Sequence, residues 1–160
     1  MDTRTKLDLG CGDVKQGDDW IHIDISPKSV ADYLWDVRKI PYPEEWAWEN
    51  KFDYIRADNL AEHIYDYTWI KVVRELHRIL KVGGILWIRV PNVMADLEKA
   101  LVDPTHVNYF APGTFDYYDK FCPNRRWQHF GQMYGIPPFR RIRQENTWNN
   151  SFIICELVKI

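Results

Sequence analysis

The run Leu7-Asp8-Leu9-Gly10-Cys11-Gly12 constrains this chain more than any other stretch. Its apolar alternation passes directly into two glycines one residue apart, the pattern of a buried strand that stops at a tight turn where a ligand can touch backbone. Twelve residues after Gly12, a second strand-like run, Trp20-Ile21-His22-Ile23-Asp24, ends in a carboxylate. A glycine turn after one strand and an acid at the tip of the next is the arrangement that holds an adenosine-type ligand at the carboxyl edge of a parallel sheet. The eight residues from Asp13 to Trp20 are fewer than the ~10 to 12 that a strand-helix-strand crossover uses. The first helix is therefore expected to be abbreviated or missing, with polar loop in its place.

Further along, the second strand closes on Ile25-Ser26-Pro27, and a third is expected over Ala31–Val37 with Asp36 at its exit. Glu44–Lys51 reads as one or two helical turns that carry Trp46 and Trp48 near the surface. Phe52–Ala57 is a fourth strand leading into Asp58-Asn59-Leu60-Ala61-Glu62-His63-Ile64. The clearest helix spans Thr68–Lys81, because Trp69, Val72, Val73, Leu76, Ile79 and Leu80 recur at helical spacing. Gly83-Gly84 stand where a left-handed helix cap is expected. Ile85–Val90 is a continuous apolar strand broken by Pro91-Asn92, and short helices are expected over Val93–Val102 and from Pro112 to Phe121. Phe139–Glu145 and Ser151–Val158, joined by a short loop holding Trp148-Asn149-Asn150, form an antiparallel hairpin. This order of elements implies an α/β fold, a mostly parallel open sheet with one reversed edge.

A chain of 160 residues with 46% hydrophobic and 28% charged residues has the make-up of one globular domain, residues 1–160. No apolar run approaches a membrane span, and Met1-Asp2-Thr3-Arg4-Thr5-Lys6 lacks a signal-peptide apolar region, so the expected location is the cytoplasm. The three cysteines, Cys11, Cys122 and Cys155, fit neither a disulfide framework nor a zinc site, and no metal is expected. A net charge of −2 gives no general attraction to phosphate backbones. Arg125-Arg126 and Arg140-Arg141-Ile142-Arg143 make the C-terminal part locally basic, and a solvated face is the simpler account of them than a nucleic-acid footprint.

Several of these pieces together resemble the class I S-adenosylmethionine-dependent methyltransferases. Leu7–Gly12 is similar to that family's first motif, Asp24 stands where it holds the ribose, and Asp36-Val37 resembles its adenine-reading segment. Phe52–Ile64 is similar to the fourth-strand motif that ends in Glu-His, and Glu75–Gly84 with the following strand and Pro91-Asn92 resembles the family's helix-glycine-strand unit. The resemblance implies a Rossmann-like sheet that binds S-adenosylmethionine and releases S-adenosylhomocysteine. It implies cofactor contacts from Asp8, Gly10, Cys11, Gly12, Asp24, Ile25, Asp36, Val37, Ala57, Asp58 and His63. The competing reading of Asp24 and Asp36 is that they cap turns. A dinucleotide oxidoreductase would need a third glycine where Lys15 stands and a full helix before the acid.

Asp103-Pro104-Thr105-His106-Val107-Asn108-Tyr109-Phe110 resembles a segment that lies beside the acceptor pocket in a subset of these enzymes. It makes His106 the general-base candidate, with Tyr109 shaping the acceptor site. A structural or surface role is the ordinary one for a loop histidine, and His22, His77 and His129 are read that way. The expected activity is methyl transfer to a small-molecule acceptor. The alternatives are a non-catalytic cofactor-binding or scaffold module and a nucleic-acid methyltransferase. The latter ranks last because the fourth-strand motif lacks the Asn/Asp-Pro-Pro-Tyr/Phe type of sequence. The chain departs from the family pattern in the shortened segment after Gly12, in the six residues that precede Leu7, and in Val82 at a frequent proline position. An uncovered site suits a bulky acceptor, a partner subunit as lid, or no catalysis. Trp46 and Trp48 point either to a homodimer or acceptor contact or to packing on the sheet.

Overall fold

Every second residue of the central strands is apolar, and in the folded chain these residues share one side. The computed structural model describes residues 2–147 and 149–160. Met1, at the head of the N-terminal stretch, and Trp148, in the hairpin loop, lie outside the described residues. The strands are β1 (Lys6–Leu9), β2 (Trp20–Asp24), β3 (Tyr33–Leu34), β4 (Phe52–Asp58), β5 (Leu80–Pro91), β6 (Phe139–Thr147) and β7 (Phe152–Lys159). They form one sheet in the order β3-β2-β1-β4-β5-β7-β6. The first five are parallel to one another, and β7 runs antiparallel between β5 and β6. The fold is the expected Rossmann-like, mostly parallel sheet with an antiparallel C-terminal hairpin. The chain order reverses between β1 and β4, which puts the topological switch point at their carboxyl ends.

The register lines up Ile21, Leu7, Ile55, Leu86 and Leu157 in one row and Ile23, Leu9, Ala57, Ile88 and Cys155 in the next. All ten are fully buried. Helix α1 (Asp66–Ile79) covers this face with Trp69, Val72, Val73, Leu76 and Ile79, which share the same core. Asp66 sits in its first turn, where a carboxylate complements the N-terminal end of the helix dipole. The 3-10 segment Pro112–Tyr117 lies over β6 on the same side, fixed by Arg141 on Asp116 at 2.9 Å and by Gln144 donating to the Pro112 carbonyl.

Residues 10–19 carry no helix, as the short spacing implies, and the crossover from β1 to β2 is made by turns. The structure departs from the sequence reading at several boundaries. β3 is only two residues long, because it pairs with β2 alone at the sheet edge, so Asp36 lies in the turn beyond it. Gly83-Gly84 do not cap α1. The helix ends at Ile79, and its last carbonyls are taken by chain from another element, with the Asn50 amide on Arg78 and the Lys51 amide on Ile79. The two glycines instead lie in a bulge, since Phe52 pairs with Leu80 and Tyr54 with Ile85. A Cβ on Gly84 would stand 2.9 Å from the carbonyl oxygens of both Lys81 and Phe52. The helix expected over Val93–Val102 shrinks to α2 (Leu97–Leu101), capped by Asp96 accepting from the Lys99 amide, and the segment from Pro112 is 3-10 rather than α.

The tryptophans expected near the surface of Glu44–Lys51 are packed inward. Trp48 is 2% exposed, and Trp46 and Trp48 form an aromatic cluster with Tyr33, Tyr42 and Phe52, with ring centroids 4.5–6.2 Å apart. Only the 3-10 turn Glu44–Trp46 crosses here, so large rings supply the apolar area that a longer helix would otherwise bring.

Candidate functional site

At the switch point β1 ends and the backbone turns left-handed, with φ of 69° at Gly10 and 59° at Gly12, values that favour glycine. A side chain at position 10 would press on Leu60 Cδ1 at 3.1 Å, just after β4, so the glycine also brings the two strand exits together. The Gly10 and Cys11 amides donate to the Ile23 carbonyl, and the Gly12 amide donates to Asp24 Oδ2 at 2.9 Å. Asp24 Oδ1 accepts from the Ser26 amide at 2.7 Å. Asp24 thus ties the glycine turn to the exit of β2, and each of its oxygens keeps a second lone pair. Asp36 accepts from the amide, Nε and Nη2 of Arg38, and that side-chain hydrogen bonding holds its carboxyl below the ordinary range.

These groups border a cavity of about 480 Å³, inside the range of ~300–1,000 Å³ typical of small-molecule sites. Of the sequence-derived residues, Gly10, Asp24, Ile25, Asp36, Val37 and His63 line it. Trp35, Leu60, Ile64 and Thr105 line it too, and the sequence reading did not single them out. Leu60 and Ile64 flank the Glu-His pair of the fourth-strand motif, which is the signal that would have found them.

Other expected residues lie elsewhere. Asp8 is fully buried on the opposite side of the sheet, paired with Arg56 at 2.9 Å, and burial raises its carboxyl despite that partner. Asp58 is held by Arg56 and Arg89. The Ala57 methyl faces the core. The Cys11 thiol is buried, which pushes it up to about 11, so it is no thiolate at neutral pH.

His63 and His106 are brought together by a 3-10 turn, Ala61–His63, and by residues 103–108 stitched to it. The Val107 and Asn108 amides both donate to the Glu62 carbonyl. His106 Nδ1 lies 2.9 Å from the Ala100 carbonyl, which can only accept, so Nδ1 carries a proton and Nε2 is the lone-pair nitrogen of the neutral ring. His63 Nδ1 lies 2.9 Å from Thr105 Oγ1, which itself donates to Asp103 Oδ1 at 2.6 Å. The single Thr105 proton is committed to the carboxylate, so His63 Nδ1 is the donor and its Nε2 is the lone-pair nitrogen as well. The two rings meet edge to face at 4.8 Å, and burial together with the His106 neighbour holds His63 below its ordinary range. Tyr109 is half exposed, with its hydroxyl on the His106 carbonyl, outside the cavity wall. Glu62, not among the expected site residues, is 2% exposed, and burial pushes its carboxyl up to about 8.

This architecture defines the class I methyltransferase fold. A S-adenosylmethionine-dependent methyltransferase from Archaeoglobus fulgidus superposes with a TM-score of 0.65 at 14% identity, over 98% of this chain and 86% of that one. A Haloferax volcanii complex of the Trm112 methyltransferase activator with a methyltransferase gives 0.66 at 13% identity, over 98% and 83%. A Burkholderia thailandensis 1,6-didemethyltoxoflavin-N1-methyltransferase with its substrate and S-adenosylhomocysteine bound gives 0.62 at 12% identity, over 97% and 70%. At such identities the likeness establishes the fold. No protein-family model matches the sequence, and no curated protein sequence matches it.

Proposed function

We propose that this chain binds S-adenosylmethionine in the cavity at the carboxyl ends of β1, β2 and β4 and transfers its methyl group to a small-molecule acceptor. The carrying observation is the meeting of Gly10, Asp24 and Asp36 around one cavity at the switch point of this fold. When bound, the cofactor supplies an electrophilic methyl group on a sulfonium sulfur. Spare lone pairs of Asp24 suit ribose hydroxyls, the one left on Asp36 Oδ2 and the Val37 backbone suit an adenine edge, and Ile25 and Leu60 offer apolar flanks. His106, edge to face with the cavity-lining His63, offers the Nε2 of its neutral ring to take the acceptor's proton, with Asp103 Oδ2 3.8 Å away to favour the resulting imidazolium. Holding the acceptor in line at ~3 Å supplies much of the rate in such a transfer.

Calorimetry with S-adenosylmethionine tests the reading. Binding is expected, and Asp24→Ala should weaken it ~10- to 100-fold, the value of a charge-assisted hydrogen bond lost. No binding at millimolar cofactor overturns it. One observation favours a second reading, a non-catalytic binding module: the Gly10, Cys11 and Gly12 amides are already bonded within the protein, and no helix N-terminus follows to meet a carboxylate. Binding without methyl incorporation from labelled donor into metabolite extracts would select that module.

A further inference from the structure

We propose that Glu62, His63 and His106 form a binding site for a divalent first-row transition-metal ion, zinc being the ion their donor set fits. One donor atom from each lies within 4.8 Å of the other two. An ion at the centre of a triangle with such sides would be about 2.8 Å from each donor, so ~0.7 Å of side-chain adjustment reaches the ~2.1 Å of Zn–N and Zn–O bonds. The side chains are prepared for this. Each imidazole gives its Nδ1 proton to a fixed acceptor, Ala100 carbonyl for His106 and the Thr105–Asp103 relay for His63. That outer hydrogen bond is what orients a metal-ligating histidine and leaves Nε2 as the ligand atom.

The independent observation is Glu62. Its side chain is buried, and among the described residues its Oε2 has no hydrogen-bond partner. A buried carboxyl oxygen without a partner costs ~1–3 kcal/mol or more in a protein interior, and a cation between it and the two rings would take it as a ligand, releasing the carboxyl proton to solvent. Two imidazoles and one carboxylate suit zinc, and three protein ligands leave a coordination position open, as in catalytic rather than structural sites. Of the three ligands, His63 lines the 480 Å³ cavity, as does Thr105, so the proposed site adjoins that cavity. With the ion bound, His106 is a ligand, and lowering the acceptor's proton affinity passes from its Nε2 to the ion. Ion binding itself does not depend on the methyl-transfer reading.

The test uses the full chain, stripped with chelator and titrated with ZnCl₂ in a calorimeter, and separately with CoCl₂ for its visible spectrum. One zinc per chain is expected. Glu62→Gln, His63→Asn and His106→Asn should each weaken binding at least about tenfold, while His129→Asn, at an exposed position, should leave it unchanged. The cobalt form should show visible ligand-field bands without a near-ultraviolet thiolate band. Absence of stoichiometric binding by the unmodified chain overturns the proposal, and so does a thiolate band or undiminished affinity in all three variants, either of which would put the metal elsewhere.

Discussion

The two faces of the sheet are built on opposite rules. One is the apolar face under α1, the aromatic cluster and Pro112–Tyr117, where every strand residue of the two central rows is fully buried. The other presents Lys6, Trp20, Tyr54, Arg56, Trp87, Arg89 and Glu156, mostly half-buried. It is held by ion pairs, Arg56 to Asp8 and Arg89 to Asp58 between strands and Arg56 to Asp58 within β4, and by cations over rings, such as Lys6 over Trp20 and Arg56 over Trp87. Doubly wound sheets bury both faces under helices. Here, among the described residues, neither the β1–β2 nor the β2–β3 connection contains a helix, and the second face gets ionic ladders in place of a helix layer. The difference teaches that a cavity at the switch point can form on one helix layer, because it needs only the strand exits and their turns.

The largest expected contrast lies in tryptophan truncation. Trp48→Ala removes a ring from the aromatic cluster and should cost about 3–5 kcal/mol in urea unfolding, against less than about 2 for Trp87→Ala on the other face. Equal costs would mean that the second face is a packed layer and would end the contrast. Next comes the charge ladder. Arg56→Met leaves Asp8 buried without its partner, a loss of about 3 kcal/mol or more, and Asp8→Asn in that background should restore most of it. Arg143→Met, at the exposed end of the same face, should leave the unfolding midpoint where it was.

The covered side also carries a pH dependence. His77, edge-on to Phe139 at 5.0 Å, is held at about 4 by burial, with Lys159 adding to the shift. Its folded value lies below the ~6.5 of an unfolded histidine, so it contributes stability that is complete above pH 6.5 and lost as pH falls toward 4. Unfolding midpoints measured from pH 7.5 to 4.5 should therefore fall less steeply in His77→Leu than in the parent, and parallel slopes would show that the ring is hydrated.

Much of the fold was legible because its signals are local. The stripe Trp69 to Ile79 needed only helical spacing, β2 ran over the residues expected of it, and the hairpin followed from a short connection. The bare face had a signal as well, since Asp8, His22, Arg56 and Arg89 alternate with core residues inside parallel strands that ordinarily read as continuous apolar runs. The end of α1 could not be read locally, because its carbonyls are satisfied by amides of residues 50 and 51, distant in sequence. Glu62 was passed over for a similar reason. Beside His63 it looks like any exposed helix-turn acid, and only the fold of residues 103–108 over it makes it buried and unpartnered.

The sequence by itself determined the strand that runs into the Gly10–Gly12 turn, the acid at the tip of β2, the missing first helix and the amphipathic α1, because φ preference, chain length and periodicity are properties of neighbouring residues. Only the tertiary structure decided which acids face the cavity and which are spent on the far side of the sheet. It alone decided that the tryptophans stand in for a helix and that one carboxylate and two imidazoles converge beside the cavity. Those outcomes depend on strand register and on loops folding across one another, and the free energy of burying or pairing a side chain is set by neighbours that the linear order does not name.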